Sequence, residues 1–316
     1  MALRVFGFYN GLTEKARGYR YLQQYGSLLD DIALFQIAIE ANGELTGAPS
    51  RRLIAEAHAL GIKVFLVVSN LTPRGDFSTS LISRLVREPM FADKVWRNIY
   101  NLLVDYKCDG VNLDLEKGAP GDRALFSRFI NTWTARFKGV NYLVSIDVPA
   151  KTSEQRTDIW KGVFDYRALG QSVDMVILMT YEEHWPGSQP GSVASLPWVK
   201  QVLNYALAHI PAQKLYLGLP LYGYDWERPG KAEVIGYKRA RELARRYGAP
   251  LQWDSEQHST YFKYETRGQR HTVYFEDLRS LKEKLDLAQR KGIGGVALWE
   301  MNLSYPEFWE LMQTYV

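Results

Sequence analysis

Residues 108–120 read CDGVNLDLEKGAP, and in this stretch Asn112, Asp114 and Glu116 occupy every second position. Side chains of a β-strand alternate faces with period two, so Gly110, Asn112, Asp114 and Glu116 share one side and Val111, Leu113 and Leu115 the other. Successive members of a set lie roughly 6.5–7 Å apart along the strand, close enough for Asp114 and Glu116 to meet by hydrogen bond or close Coulomb contact. An ionised Asp114 would raise the pKa of Glu116, because adjacent negative charges repel, and partial burial acts in the same direction. A carboxyl kept protonated near neutral pH is a general acid. The two would titrate as a pair. A buried polar ladder is the competing reading, but burying two carboxylates for structure alone is costly.

The elements that must hold this pair are legible as apolar runs of strand length: 3–9, 31–39, 62–70, 108–116, 141–150, 174–182, 214–226 and 294–301. Most are continuously apolar rather than alternating, as parallel strands covered on both faces require. Amphipathic helical patterns lie between them at 50–61, 91–106, 123–137, 195–210 and 276–292, with a last one at 305–315. This alternation predicts an α/β fold, a (β/α)8 TIM barrel, with Glu116 at the C-terminal end of strand four, where such barrels carry their chemistry. An open doubly wound sheet is disfavoured, because GFYNGLTEKARG after the first strand is not a Gly-rich phosphate turn. The rhythm breaks once, at 227–275, where a helical segment (236–248) precedes residues 251–275, which alternate like short antiparallel strands with a turn near Arg267-Gly268. This predicts a small α+β insertion after strand seven, within a single catalytic barrel spanning 1–316.

Composition bounds the rest. A formal net charge of +4 is too mild for a nucleic-acid partner, and 46% hydrophobic content is ordinary for a globular protein. Cys108 is the only cysteine, so no intramolecular disulfide forms, and no Cys/His spacing suggests a metal. No run approaches the roughly 20 apolar residues that span a bilayer, and MALRVFGFYNG reads as a first strand rather than a signal peptide. The basic stretch KRARELARR (238–246) alternates with Ala and Leu and reads as a solvated helix face. His58 reads as a surface residue, and Asp109 faces away from the pocket line. His184, beside Glu182 and Glu183, does not make a metal site by spacing.

DGVNLDLE resembles the DGxxxDxE signature of glycoside hydrolase family 18, which includes chitinases and peptidoglycan-cleaving N-acetylglucosaminidases. LMTYE (178–182), LGLPLYGYDW (217–226) and GGVALWEM (294–301) resemble the family's strands six, seven and eight. DVPAKTS (147–153) and MTYEEH (179–184) look closest to its bacterial spore-cortex glycosylases. The resemblance departs from many chitinases in two places, with Asn112 and Glu182 standing where those carry Asp. Asn112 cannot hold a charge, which should ease ionisation of Asp114, and Glu182 reaches one methylene further into the pocket floor.

The resemblance implies substrate-assisted retaining hydrolysis, in which the sugar's own acetamido group attacks C1. Glu116 would protonate the leaving oxygen and later deprotonate water. Asp114 would orient the acetamido N–H and offset the oxazolinium charge, Tyr181 would donate to the acetamido oxygen, and Asn112 would support Asp114. Trp299 would form the floor under the sugar. Further aromatic residues at strand ends, Tyr9, Trp185, Tyr222, Tyr224 and Trp226, either pack as core or offer flat faces to sugar rings; Trp185, in HWPGSQPG, reads as exposed. No cofactor or metal is implied. The expected partner is a polysaccharide bearing N-acetylglucosamine, the expected state a monomer, and the expected location a bacterial spore or cell envelope. Chitin or N-glycans are the alternative substrates, and a non-catalytic glycan-binding protein is the reading from another class.

Overall fold

The computed structural model describes residues 2–11 and 16–316; part of the stretch judged not to be a phosphate turn therefore lies outside the described residues. The eight apolar runs form eight parallel strands: β1 (Arg4–Tyr9), β2 (Asp31–Ile39), β3 (Lys63–Ser69), β4 (Gly110–Asp114), β5 (Leu143–Pro149), β6 (Met175–Met179), β7 (Leu215–Pro220) and β8 (Gly295–Trp299). Each pairs with the next, and β8 closes on β1 from Arg4↔Gly295 to Gly7↔Leu298, so the barrel has no open edge. A two-residue strand, Leu45–Thr46, adds antiparallel to β2.

Strand parity divides the core into two. Phe6, Phe8, Ala33, Phe65, Val67, Met175, Ile177, Tyr216 and Ala297 fill the barrel interior. Residues of the opposite parity, such as Val5, Val64, Leu66, Val111 and Leu113, pack against the surrounding helices. Gly110 shows how tightly the interior is filled. A Cβ there would lie 2.5 Å from the Phe65 ring and 2.6 Å from the Leu143 carbonyl oxygen. Only glycine lets β4 pass at this level, with Asn112 and Asp114 above it.

The helices expected from periodicity are present, with Ser50, Ser195 and Asp277 as N-caps that accept backbone N–H groups. Three helices were not anticipated: Arg17–Tyr25, Thr79–Arg87 and Tyr166–Ser172. All three are short, at nine, nine and seven residues; the equally short Arg51–Ala59 is legible through its Ser50 cap and Gly61.

The run 214–226 is not one strand. β7 ends at Pro220, which has no N–H to give, and Leu221 donates to the Trp299 carbonyl (2.9 Å) as the chain leaves the barrel. The chain restarts at Tyr222 in a second, antiparallel sheet of five strands: Tyr222–Arg228, Lys231–Gly236, Gln252–Asp254, Ser259–Thr266 and Gln269–Phe275, with the helix Tyr237–Arg246. The insertion thus begins five residues before 227, and Lys231–Gly236 is a strand that composition did not suggest, with half of its residues exposed. Arg267 and Gly268 form its sharpest turn, both with positive φ (51° and 71°), as a two-residue hairpin demands.

Candidate active site

The site is built around β4 and β5, which lie side by side with Asn112 opposite Ser145. The Asn112 Nδ2 donates to Ser145 Oγ (3.0 Å) and to Asp147 Oδ1 (2.8 Å), all within the buried interior. Its Oδ1 is buried without a hydrogen-bond partner among the described residues. Asp114, one step higher on the same face, is also buried.

Glu116 lies two residues past the end of β4, where the strand ladder no longer fixes it. Asn70 takes over that task. Its Oδ1 accepts the Glu116 N–H (2.9 Å), and its Nδ2 donates to the Glu116 carbonyl (2.8 Å) and to the Ser78 carbonyl (3.1 Å). The amide side chain thereby continues the β3–β4 pairing beyond its last rung, Ser69↔Asp114. One residue on, Thr79 Oγ1 donates to the Lys117 carbonyl (2.6 Å). Asn70 is buried with its hydrogen-bonding capacity largely used, so the backbone that carries Glu116 is held from below.

Burial and mutual repulsion shape the charges here. Burial pushes the Asp114 carboxyl up, and a hydrogen bond with Glu116 pulls it back toward the ionised form. Glu116 is pushed well above the usual carboxylate range, first by burial and then by the negative charges of Asp114 and Asp147 and by the same hydrogen bond. Asp147 is raised too, by burial and by Asp114, although Asn112 donates to it. Three carboxyls this close cannot all ionise. Asp114, Glu116 and Asp147 therefore titrate as a coupled set that retains protons above the usual carboxylate range.

One strand further round from Asp147, Tyr181 follows β6. Burial and the surrounding carboxylates push its hydroxyl well above the ordinary tyrosine value, so it stays a donor. Its ring lies near-parallel to Trp299 (centroids 6.4 Å, 20°) and edge-on to Tyr222 at 6.4 Å. The Trp299 ring, at the end of β8, is seated edge-on against Phe8 (5.5 Å) and Phe35 (5.4 Å), which cap the barrel interior. Gly218 leaves room for this cluster, since a Cβ there would come within 3.1 Å of the Tyr181 ring. Glu182 sits with φ +63°, and its carboxylate accepts hydroxyl hydrogen bonds from Tyr222 and from Tyr224 (2.7 Å). Burial of that carboxylate raises its pKa, opposed by the two tyrosines.

The structure therefore brings Asn112, Asp114, Glu116, Tyr181, Glu182, Tyr222 and Trp299 to one end of the barrel. Two of the sequence candidates are not presented there. Tyr9 shares the parity of Val5 rather than of Phe6 and Phe8, and is 1% exposed, with Gly11 and Gly18 packed against its ring. Trp226 is also 1% exposed and packs edge-on against Tyr224 within the insertion. Both rings are core, with no face left for a sugar. Trp185 is 53% exposed, in the loop after Tyr181. Asp109 accepts from the Val64 N–H (2.7 Å) and pairs with His58 (2.8 Å), before β4 begins. His184 is hydrogen-bonded to the Gln189 carbonyl (3.0 Å). Sequence reasoning missed Asp147 and Asn70 as parts of the site. Asp147 carried a signal, a lone acid inside the apolar run 141–150; Asn70 carried none, because its role exists only across two strands. Among the described residues, no three His, Cys, Asp or Glu side chains are placed to hold a metal ion.

Residues 14–303 match the family of glycosyl hydrolases family 18. The chain is 32% identical over 287 residues to the cortical fragment-lytic enzyme of Bacillus anthracis, covering 89% of this chain and 66% of that one. It thus spans about two thirds of that relative's length. Among solved structures, it superposes on the Bacillus cereus spore cortex-lytic enzyme SleL with a TM-score of 0.92 at 29% identity, covering 98% of this chain and 73% of that one. The chitinase of Chromobacterium violaceum ATCC 12472 gives the same TM-score, 0.92, at 30% identity, covering 99% and 98% of the two chains. With its eight-stranded barrel and a signature carboxyl pair at the mouth, this chain belongs to glycosyl hydrolases family 18.

Proposed function

We propose that the chain is a retaining β-N-acetylglucosaminidase that hydrolyses bacterial peptidoglycan, with spore cortex as its substrate, by substrate-assisted catalysis. The observation that carries this reading is the buried Asp114–Glu116 carboxyl pair at the mouth of a closed barrel, both members raised by burial, in which Glu116 is assigned the proton and Asp114 the charge. Glu116 gives that proton to the glycosidic oxygen as the C1–O bond breaks. Asp114 accepts the acetamido N–H and faces the positive charge that develops on the oxazolinium ring. Tyr181, held protonated, donates to the acetamido oxygen as that oxygen bonds to C1. Trp299 lies under the sugar, and Glu182, tethered by Tyr222 and Tyr224, accepts hydrogen bonds from its hydroxyls. Water, deprotonated by Glu116, then opens the ring from the face the leaving group left, and the β configuration is retained.

The likeness to the cortical fragment-lytic and spore cortex-lytic enzymes supports cortex as the substrate and the spore envelope as the place of action. Among the described residues, no helix is long and apolar enough to cross a membrane. The equal likeness to a chitinase supports chitin as a second reading. Digestion of cortex fragments and chitin oligomers side by side, with products identified by mass spectrometry, separates the two. Glu116→Gln should abolish cleavage while leaving the circular dichroism spectrum intact; an active Glu116→Gln variant refutes the assignment.

A further inference from the structure

The insertion helix Tyr237–Arg246 carries five cations, Lys238, Arg239, Arg241, Arg245 and Arg246, against one acid, Glu242. Its net charge of +4 equals that of the whole chain, in which 39 Lys and Arg face 35 Asp and Glu, so the other residues sum to zero. Lys238, Arg241 and Arg245 stand at i, i+3 and i+7 and share one face of the helix. That face lines a groove of about 770 Å³, bounded also by residues 248–251 and by Glu307 of the C-terminal helix Pro306–Met312. None of the lining residues belongs to the carboxyl site. The one acid of the helix pairs with Arg239 at 3.5 Å. Among the described residues, no carboxylate stands within ion-pair distance of the three groove cations. Lys238 Nζ reaches the Tyr21 hydroxyl (3.5 Å), Arg241 donates to the Tyr237 hydroxyl (2.7 Å), and the Arg245 side chain has no hydrogen-bond or ion-pair partner.

Arg241 and Arg245 are four residues apart and repel each other, so this arrangement works against the helix that carries it. A ligand of opposite charge relieves that repulsion. The groove is not uniformly positive, however. Glu242 and Glu307 also line it, and Leu251, 44% exposed, forms an apolar lip. A phosphate backbone, negative at every unit, meets repulsion at both acids. A peptide that carries carboxylates, an amine and apolar side chains finds a partner for each. Lys238 and Arg245 lie about 10 Å apart along the helix axis, the span of three extended residues. We propose that this groove binds the carboxylate-bearing peptide arms of peptidoglycan and holds the protein on the polymer apart from the cleavage site. The inference rests on the peptidoglycan reading given above, and it deepens that reading by naming a second contact with the same polymer.

The test measures co-sedimentation with insoluble peptidoglycan whose peptide carboxylates are free or converted to methyl amides, using Glu116→Gln so that the polymer is not digested. Binding should be about fivefold tighter to the free acid, the size expected of two exposed charge pairs, and should weaken as salt rises. In the same background, Lys238→Gln/Arg245→Gln should remove the preference. Arg239→Gln/Arg246→Gln takes the same charge from outside the groove and should keep it. With Glu116 intact, Lys238→Gln/Arg245→Gln should slow cleavage of insoluble peptidoglycan by a similar factor and leave kcat/KM on short peptide-free glycan oligomers unchanged. Equal losses from the two pairs, or no preference for the free acid, overturn the groove. Duplex DNA bound more tightly than peptidoglycan, and released by Lys238→Gln/Arg245→Gln, overturns the peptide assignment in favour of nucleic acid. A protein that shows the acid preference through this groove yet cleaves only chitin oligomers keeps the groove and overturns peptidoglycan as the substrate.

Discussion

At the scale of single residues, the site depends on where one proton and one negative charge reside. Asn112 governs this by being neutral: it donates to Asp147 and adds no charge beneath Asp114. Replacing it with Asp sets a carboxylate against the Asp147 carboxylate and removes the donor between them. Asp114 works ionised and Glu116 works protonated, so added negative charge raises both pKa values. The acid limb of the pH–rate profile, where Asp114 loses its proton, therefore moves up, and so does the alkaline limb, where Glu116 loses its own. Asn112→Asp should shift the kcat/KM profile toward higher pH by roughly one unit. A profile unmoved, or moved toward acid, argues that Asn112 does not set the charge of Asp114. The Asp114–Glu116 pair was legible from period-two spacing alone, because both residues belong to one strand and its extension. Asn70 was not, since nothing in the local sequence says that an amide after β3 will reach the backbone of a residue 46 positions later. For Tyr9, position at a strand end leaves core and sugar face both open; the parity of β1 decides between them and places the ring in the core outside the barrel interior.

At the scale of elements, the decisive join is where the insertion returns to the barrel. Glu276 follows the last insertion strand, and Lys284 lies in the helix Leu278–Lys291 that leads to β8. The Lys284 Nζ donates to both Glu276 oxygens (2.9 and 2.8 Å), Ser280 Oγ donates to the same carboxylate (2.6 Å), and both charged side chains are buried. Burial pushes the Glu276 carboxyl up, while Lys284 holds it down. Lys284→Met strands a buried carboxylate and should cost ~3–5 kcal/mol in urea unfolding. Without the lysine, the folded-state pKa of Glu276 stands above its unfolded value of about 4.3, so the deficit is small in acid and grows as pH rises above that point. Lys284→Met/Glu276→Leu should recover most of the loss, and a double variant no better than the single one contradicts the pairing argument. The sequence made the helix and the hairpin at Arg267-Gly268 visible through periodicity and turn chemistry. It hid the split of the seventh run, because 215–224 carries no charged residue and only the missing N–H of Pro220 marks where one sheet ends and another begins.

At the scale of the whole molecule, the question is whether the insertion is a domain of its own or part of the barrel. Its buried residues Trp226, Ile235, Phe262, Val273 and Phe275 belong to the same continuous cluster as Leu219 and Leu221 of the barrel and Leu281 and Leu285 of the returning helix. Tyr237, at the start of the insertion helix, stacks on Tyr305 (3.9 Å, 11°), next to the C-terminal helix Pro306–Met312. The insertion also supplies Tyr222 and Tyr224, which seat Glu182 in the site. A unit that shares its core and its buried ion pair with the barrel has little surface of its own to keep it folded when the barrel opens. We therefore expect one cooperative body: urea unfolding followed by far-UV circular dichroism, by tryptophan fluorescence and by hydrogen exchange of the amides in 252–275 should give coincident transitions. An insertion that loses its amide protection at lower urea than β4 and β5 would be an independent folding unit. The seat of Glu182 would then be a mobile part of the pocket, loosened before the carboxyl pair is disturbed.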